Sequence, residues 1–532
     1  MGIRIRQTLT RRRLLKTSTL AGIAAVGGIA RPLVSRAADR PSISHGVQSG
    51  DVSVDSAVVW ARADRPSRAL IDWSTTESFK DSHRTAFVDA LPETDLTANV
   101  LIEGLPAGQD IFYRVQLQDL TSPTVMGEPV VGRFRTASAD RRSISFAWSG
   151  DTAGQGWGID ESRGGMRLYG TMLRNRPDFF IHSGDNIYAD GPIPAELKLP
   201  NGETWKNIVS EDKAKSAETL AEFRGNYKYN LLDKNVLAFN REVPIFSQWD
   251  DHEVTNNWWP GEPLTRAEHL RKKYVEKNAM ALAARAARAF REYMPMRGNL
   301  AERGRVYRQI SYGPLLDIFM LDMRSYRGPN GEDREEIYGP AAYFLGPEQV
   351  AWLKRALLNS RATWKVIAAD MPISLLVVYD VDRNWGVEAV AQGDDGPPRG
   401  RELEIADLLA FIKRAGIRNT LWLTADVHYT AAHYYDPNKA AFQEFDPFWE
   451  FVSGPIHAGT FGPNALDGTF GPQLVYIQAP TKEQGQNLPP SFGLQFFGHV
   501  AIDGATEVMT VTLKDVADTA LWSTRLEPAP VR

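Results

Sequence analysis

Short runs of alternating apolar and polar residues fill the first part of the chain. SAVVWARA (56–63), ALIDWSTT (69–76), ANVLIEGL (98–105), DIFYRVQLQD (110–119) and VVGRFRTA (130–137) are separated by turn-forming residues. A period of two puts successive side chains on opposite faces, so these runs predict a small antiparallel β-sandwich over residues 41–138. From residue 142 the texture changes. GGMRLYGTMLRNR (164–176), KAKSAETLAEFRGNYKYNLL (213–232), RAEHLRKKYVEKNAMALAARAARAFREYM (266–294), GPEQVAWLKRALLNS (346–360) and LEIADLLAFIKRAG (403–416) carry the helical period. They alternate with short apolar runs, which predicts an α/β domain over residues 142–525. The charged faces of these helices read as solvated surface. AQGDDGPPRGR (391–401) and GPIHAGTFGPNALDGTFGP (454–472) read as loops that could rim a site.

Six apolar runs of strand length end in an acid. SISFAWSGD closes on Asp151, PDFFIHSGD on Asp185, VPIFSQWDD on Asp250 and Asp251, and WKVIAAD on Asp370. LLDIFMLDMR brings Asp322 and Arg324, and TLWLTADVH brings Asp426 and His428. A lone aspartate after a strand is usually a turn former. Six at one sheet edge, where α/β proteins bind ligands, would repel one another unless cations neutralise them. Oxygen-rich ligation with one histidine beside it suits calcium, magnesium, manganese or ferric iron. Two such ions would polarise a phosphoryl oxygen and activate a water, so a phosphate ester is the expected electrophile. Arg324 and Arg327 in LDMRSYRG are placed to grip phosphate oxygens, or alternatively to pair with nearby acids.

Composition narrows this further. The chain has 532 residues and no cysteine, which excludes disulfides, thiol nucleophiles and zinc–thiolate sites. Residues 1–37 contain TRRRLLK, a modestly apolar stretch and a small-residue pattern at Ser35 and Ala37, the form of a twin-arginine signal peptide. This predicts passage through the twin-arginine translocase to a periplasmic or secreted location, an export route that suits an enzyme folded with its metal. Removing the seven Arg and one Lys of that segment takes the formal charge from −4 to −12. An acidic surface argues against nucleic-acid binding, and no apolar run of membrane-spanning length follows.

The series HSGDNIYADG, WDDHEV, LDMRSYR and TADVHYT resembles the PhoD-like alkaline phosphatases and phosphodiesterases of the calcineurin-like metallophosphoesterase superfamily. The resemblance covers nearly the whole chain. It implies an αββα-type catalytic sandwich behind a fibronectin- or Ig-like β-sandwich; GLPAGQDIFYRV resembles a strand-turn-strand of such domains. It also implies a site with ferric iron and calcium. By the resemblance, Asp185 is the bridging carboxylate, Tyr188 an iron-ligating phenolate and Asp251 a ligand of the second metal. His252 would protonate the leaving alkoxide or stabilise the transition-state oxyanion, and Asp250 would support the turn or orient His252. Asp426 and His428 would be further ligands, as would Asp370, where the superfamily often has a histidine. The family's first motif carries a cysteine ligand to iron. This chain offers Asp151 there, so manganese or an all-calcium site stands beside iron plus calcium. The expected function is hydrolysis of phosphate esters. Alternatives are a phosphodiesterase or phospholipase-type enzyme on lipid, nucleotide or wall-polymer esters, and a non-catalytic calcium-binding surface protein.

Overall fold

The computed structural model describes residues 40–85, 87–298 and 304–530. The twin-arginine segment expected at residues 1–37 lies outside them. Two β-sheets carry the architecture. In a nine-stranded sheet, the strands Ile144–Ser149, Phe179–Ser183 and Ile245–Gln248 run parallel side by side. In a seven-stranded sheet, Leu316–Met320, Trp364–Ala368 and Thr420–Thr424 do the same. These are the six runs that end in acids.

Each strand alternates its allegiance. Phe146, Trp148, Phe179, Ile181 and Phe246 from one sheet share a buried cluster with Ile318, Met320, Val366, Ala368, Leu421 and Leu423 from the other. The intervening Ala147, Phe180 and Ile245 pack instead with Leu168, Met172, Phe223 and Phe239 of the helices Arg167–Arg174, Leu220–Asn230 and Lys234–Glu242. On the far side Phe319, Ile367 and Trp422 pack with Leu353, Leu357, Leu408 and Leu409 of Pro347–Asn359 and Glu402–Arg414. Strands apolar on both faces must be covered on both faces, and the result is helix, sheet, sheet, helix.

The expected antiparallel strands of residues 41–138 form, and they do more than sit ahead of the catalytic layers. Ile43–Gly50 meets the Ile245–Gln248 strand in parallel at Gly50, and Ser56–Ala63 and Thr97–Glu103 extend the nine-stranded sheet outward. Ser67–Ser74, Asp110–Asp119 and Val130–Arg135 build a separate antiparallel sheet. Ile71, Ile111, Val115 and Phe134 of that sheet share a buried cluster with Val59, Ala61, Val100 and Ile102. Among the described residues, no helix is long and apolar enough to cross a membrane.

Candidate active site

Three strands from each sheet end together, and the backbone bends sharply as it leaves them. Asp151 (φ 69°), Asp185 (φ 51°), Asp426 (φ 63°) and His428 (φ 62°) all adopt the left-handed region. That conformation costs a non-glycine residue about 1–3 kcal/mol and clusters where function demands it. Gly184 (φ 95°) makes the approach possible: a Cβ there would lie 2.5 Å from Cβ of Asp250 and 3.3 Å from Cβ of Asp370.

The carboxylates converge as expected. Asp151, Asp185 and His428 can each offer a ligand atom within 4.8 Å of the others; so can Asp185, Asp251 and His252, and so can Asp250, Asp251 and Asp426. Both oxygens of Asp151 and of Asp370, and one oxygen each of Asp185, Asp250 and Asp251, are buried without a hydrogen-bond partner from the protein. Unpaired buried oxygens are expensive. Burial first, and then the charge of Asp250, push the carboxyls of Asp151, Asp185, Asp370 and Asp426 well above the usual carboxylate range. Asp251 rises to about 6 on burial, although His252 opposes this. Such a donor set fits hard or borderline cations, which would supply partners for these oxygens. Asp322 does not join: it takes Ser325 N (2.9 Å), Ser325 Oγ (2.6 Å) and Trp249 Nε1 (3.1 Å), the work of a turn former.

Tyr188 and the histidines stand beside this ring. The Tyr188 hydroxyl lies 2.7 Å from His428 Nε2, and its ring centre lies 4.2 Å from that of His252, the planes tilted by 31°. Burial, then the neighbouring Asp185, raise the Tyr188 phenol well above its ordinary value. Burial lowers His428 to about 4, so it is a neutral imidazole whose Nδ1 meets Gly459 O. His252 Nδ1 is 2.8 Å from Asp190 Oδ1, and its Nε2 is 3.8 Å from Asp251 Oδ1. Burial would lower the His252 pKa, but Asp190 and then Asp251 raise it to about 9. The backbone N–H of His252 also donates to Asp185 Oδ1 at 3.1 Å, coupling two site residues through one turn. A cavity of about 450 Å³ opens here, lined by Tyr188, Asp251, His252, Asp426 and His428, and on an apolar side by Val377, Val378, Val381 and Phe461.

The two arginines are elsewhere. Arg324 has no exposed side-chain surface, and it does not line the cavity. Its Nε donates to Asp250 Oδ1 (2.6 Å), and its Nη1 and Nη2 to Glu388 (2.6 and 3.2 Å). Arg327 is equally buried, its Nη1 and Nη2 donate to the carboxylate and the backbone carbonyl of Glu388, and its guanidinium lies 4.6 Å over the Phe344 ring. Buried acids occupy every nitrogen of the Arg324 guanidinium, and Arg327 is spent on Glu388 away from the cavity, so the ion-pair alternative is the one the geometry fits. Asp250 meets Arg324 rather than His252, so it does not orient the imidazole. Asp370 sits 3.6 Å from Arg324 Nε and outside the three ligand groups.

Sequence reasoning passed over Glu253, Glu388 and Lys272 as site-supporting residues, and read Asp190 only as a calcium ligand or a turn former. Glu253 takes Asn186 N (2.6 Å), Asn186 Nδ2 (2.9 Å) and Asp250 N (2.8 Å), tying two strand ends together. Asp190 and Glu253 lie inside the motifs HSGDNIYADG and WDDHEV, and their proximity was the available signal. Glu388 comes from a loop with no such mark. His182 is the core histidine its position suggests, 3.1 Å from Thr152 Oγ1. His433 pairs with Glu450, and His457 with Gly158 O; neither lines this cavity.

Several known proteins are similar to this chain. The PhoD-like phosphatase profile matches residues 146–513, and the profile of that family's N-terminal domain matches residues 28–138. Alkaline phosphatase D of Bacillus subtilis (strain 168) is 28% identical over 452 residues, 78% of this chain and 70% of that protein. Among solved structures, PhoD aligns over 92% of both chains with a TM-score of 0.66 at 19% identity. A purple acid phosphatase from yellow lupin (Lupinus luteus) seeds aligns over 92% of this chain and 74% of its own, with a TM-score of 0.54 at 10% identity. These last two likenesses concern the fold. The family profile spans most of the chain and all six acid-bearing strand ends, and it sets aside a purely calcium-binding surface role: the chain is a phosphoric ester hydrolase and belongs to the PhoD-like phosphatase family.

Proposed function

We propose that the strand-end site is a metal-dependent phosphoesterase centre in which His252 protonates the leaving oxygen. The observation that carries this reading is the ring of partnerless carboxylate oxygens closing on an imidazole anchored by Asp190. Asp151, Asp185, Tyr188 and His428 would hold one ion. Asp251 and Asp426, with Asp185 shared and Asp250 adjacent, would hold a second; Asp370 backs this side. Ferric iron with calcium suits the phenol and the carboxylates, and manganese suits the carboxylates without the phenol. When bound, such ions polarise the phosphoryl oxygens and activate a water nucleophile.

The protein's own groups do the rest. Asp190 accepts a hydrogen bond from His252 Nδ1–H and so fixes the ring with Nε2–H toward the cavity, where it donates to the departing alkoxide. The protonated imidazole also offsets negative charge growing on the phosphoryl group. Arg324 balances Asp250 and Glu388 beneath the site and fixes their positions, in place of the substrate contact first expected of it; Arg327 supports Glu388. The apolar side formed by Val377, Val378 and Phe461 receives the organic part of the ester, which leaves room for a diester as well as a monoester. Residues 1–37 direct the chain to the twin-arginine translocase, with periplasmic or secreted delivery.

The test uses purified protein with aryl and alkyl phosphomonoesters and the corresponding diesters. His252→Gln should retain its metal while turnover falls by roughly 10²–10⁴-fold, with the larger loss on alkyl esters, whose leaving groups need the proton. Equal losses for both ester types contradict the acid role, and lost metal makes His252 a ligand instead.

A further inference from the structure

The stretch RAEHLRKK (266–273) reads in sequence as part of a solvated helix. In the structure the helix Ala267–Arg271 ends after five residues, and Lys273 turns the chain in the left-handed region (φ 59°). Glu268 and Lys272, one helical turn apart, both line the active-site cavity. Lys272 Nζ donates to Glu268 Oε1 at 2.6 Å and to Asp190 Oδ2, also at 2.6 Å. The other oxygen of Asp190 is the one that meets His252 Nδ1. Glu268 is fixed in turn by Arg266 Nη1 (3.1 Å) and Asn256 Nδ2 (3.2 Å), and the Asn256 backbone N–H returns to Asp190 Oδ2 at 2.8 Å. His252 therefore stands at the end of a closed chain of charge-assisted hydrogen bonds that begins on a different segment of the fold.

We propose that Lys272, seated by Glu268, is a positioning residue for His252 and acts through Asp190. Without Lys272, Asp190 Oδ2 keeps only the neutral Asn256 N–H, a weaker tether against rotation about the Cβ–Cγ bond and the swing of the imidazole that follows. The ammonium adds a charge-assisted bond to that oxygen and holds the ring in a single orientation, which proton donation over a hydrogen-bond distance requires. Lys272 is a poor candidate for binding the substrate's own charge, because two carboxylates already claim its ammonium at 2.6 Å. The inference rests on the reading of His252 as the proton donor.

The test measures kcat and KM of the metal-loaded enzyme for a graded series of aryl to alkyl phosphate esters. It compares the parent, Lys272→Met, Lys272→Arg, Glu268→Gln and His252→Gln. Lys272→Met should lose roughly tenfold or more of the 10²–10⁴-fold that a proton donor supplies. The loss should fall in kcat, be concentrated on alkyl esters and nearly vanish for the best leaving groups. Lys272→Arg, which can bridge the same two carboxylates, should recover most of it, and Glu268→Gln should show a milder form of the same pattern. If His252→Gln shows the leaving-group dependence and Lys272→Met does not, the positioning role is wrong. If Lys272→Met raises KM equally for all esters, Lys272 binds substrate charge and the proposal is overturned. If His252→Gln itself shows no leaving-group dependence, the underlying acid assignment has failed. A Lys272→Met protein that does not fold leaves the decision to Glu268→Gln: that variant must shift the leaving-group dependence for the proposal to stand.

Discussion

Arg324 separates two accounts of the site most sharply. If it contacts substrate, its loss is a kinetic event; if it balances buried acids, its loss is a stability event. The structure supports the second. Replacing it with Met leaves Asp250 and Glu388, each with a side chain only 1% exposed, short of their shared cation. Breaking one buried pair costs about 3–5 kcal/mol, because an uncompensated charge stays behind. Two acids share Arg324, but Glu388 keeps Arg327 at 3.1 Å, so the two losses do not simply double. A cost of about 4 kcal/mol follows. For a body of roughly 490 residues, with an unfolding entropy of about 2.1 cal/mol/K per residue, that corresponds to a fall in Tm of about 4 °C. The assay is thermal unfolding followed by tryptophan fluorescence, beside Michaelis kinetics on the surviving folded enzyme at low temperature. Arg324→Met should be markedly less stable, with KM close to that of the parent. Adding Asp250→Asn should return part of the stability, since removing both charges of a buried pair is far cheaper than removing one. An Arg324→Met protein with unchanged Tm and a KM raised tenfold or more would refute this reasoning and restore the phosphate-gripping role.

Further outcomes follow from the same geometry. Tyr188→Phe should abolish any visible charge-transfer band of the purified protein if ferric iron is bound, checked by absorption spectroscopy with elemental analysis; a band that survives places the phenol outside the coordination sphere. Gly184→Ala should prevent the strand ends from closing, because its Cβ would fall 2.5 Å from that of Asp250, and it should reduce both soluble yield and bound metal. Glu402, buried near Asp467, is pushed up to about 8 by burial first and by that neighbour second. The folded state therefore keeps a proton that the unfolded chain releases near its ordinary value of 4.5, so this group lowers stability as pH rises from about 4.5 to about 8. Glu402→Gln should flatten that part of the urea-midpoint profile, and an unchanged slope would contradict it. Changing Arg11 and Arg12 together to Lys should stop export, read by fractionation of cells expressing the full chain, and unchanged delivery would contradict the twin-arginine reading.

Much of the site was legible in the sequence because its chemistry is written at strand ends. An apolar run of five or six residues that stops at an aspartate marks both a buried strand and the place where it leaves the core, and four of the six such strand ends meet in the ligand groups, with Asp370 beside them. Asp322 shows the limit of the rule: the same local pattern also makes an ordinary turn. Arg324 shows another, since sequence gives the type of a side chain near a site but not which buried acids have claimed it. Glu388 and Lys272 were hidden for a different reason. They arrive from a loop and a short helix end whose charges look solvated until tertiary packing turns them inward. In the first 138 residues the period-two pattern identified the strands. It could not say that Ile43–Gly50 would pair with Ile245–Gln248, because a strand's partners across some 200 residues leave no mark in its alternation.

The central claim is that the convergent carboxylates form a metal centre that performs the hydrolysis. Its most direct test is elemental analysis of the purified protein, with phosphate-ester turnover measured before chelation, after exhaustive chelation, and after restoring iron, calcium or manganese. The account predicts at least two bound ions per chain, loss of turnover as they leave, and recovery when the right ions return to the folded protein. Full turnover in protein stripped of metal would contradict it.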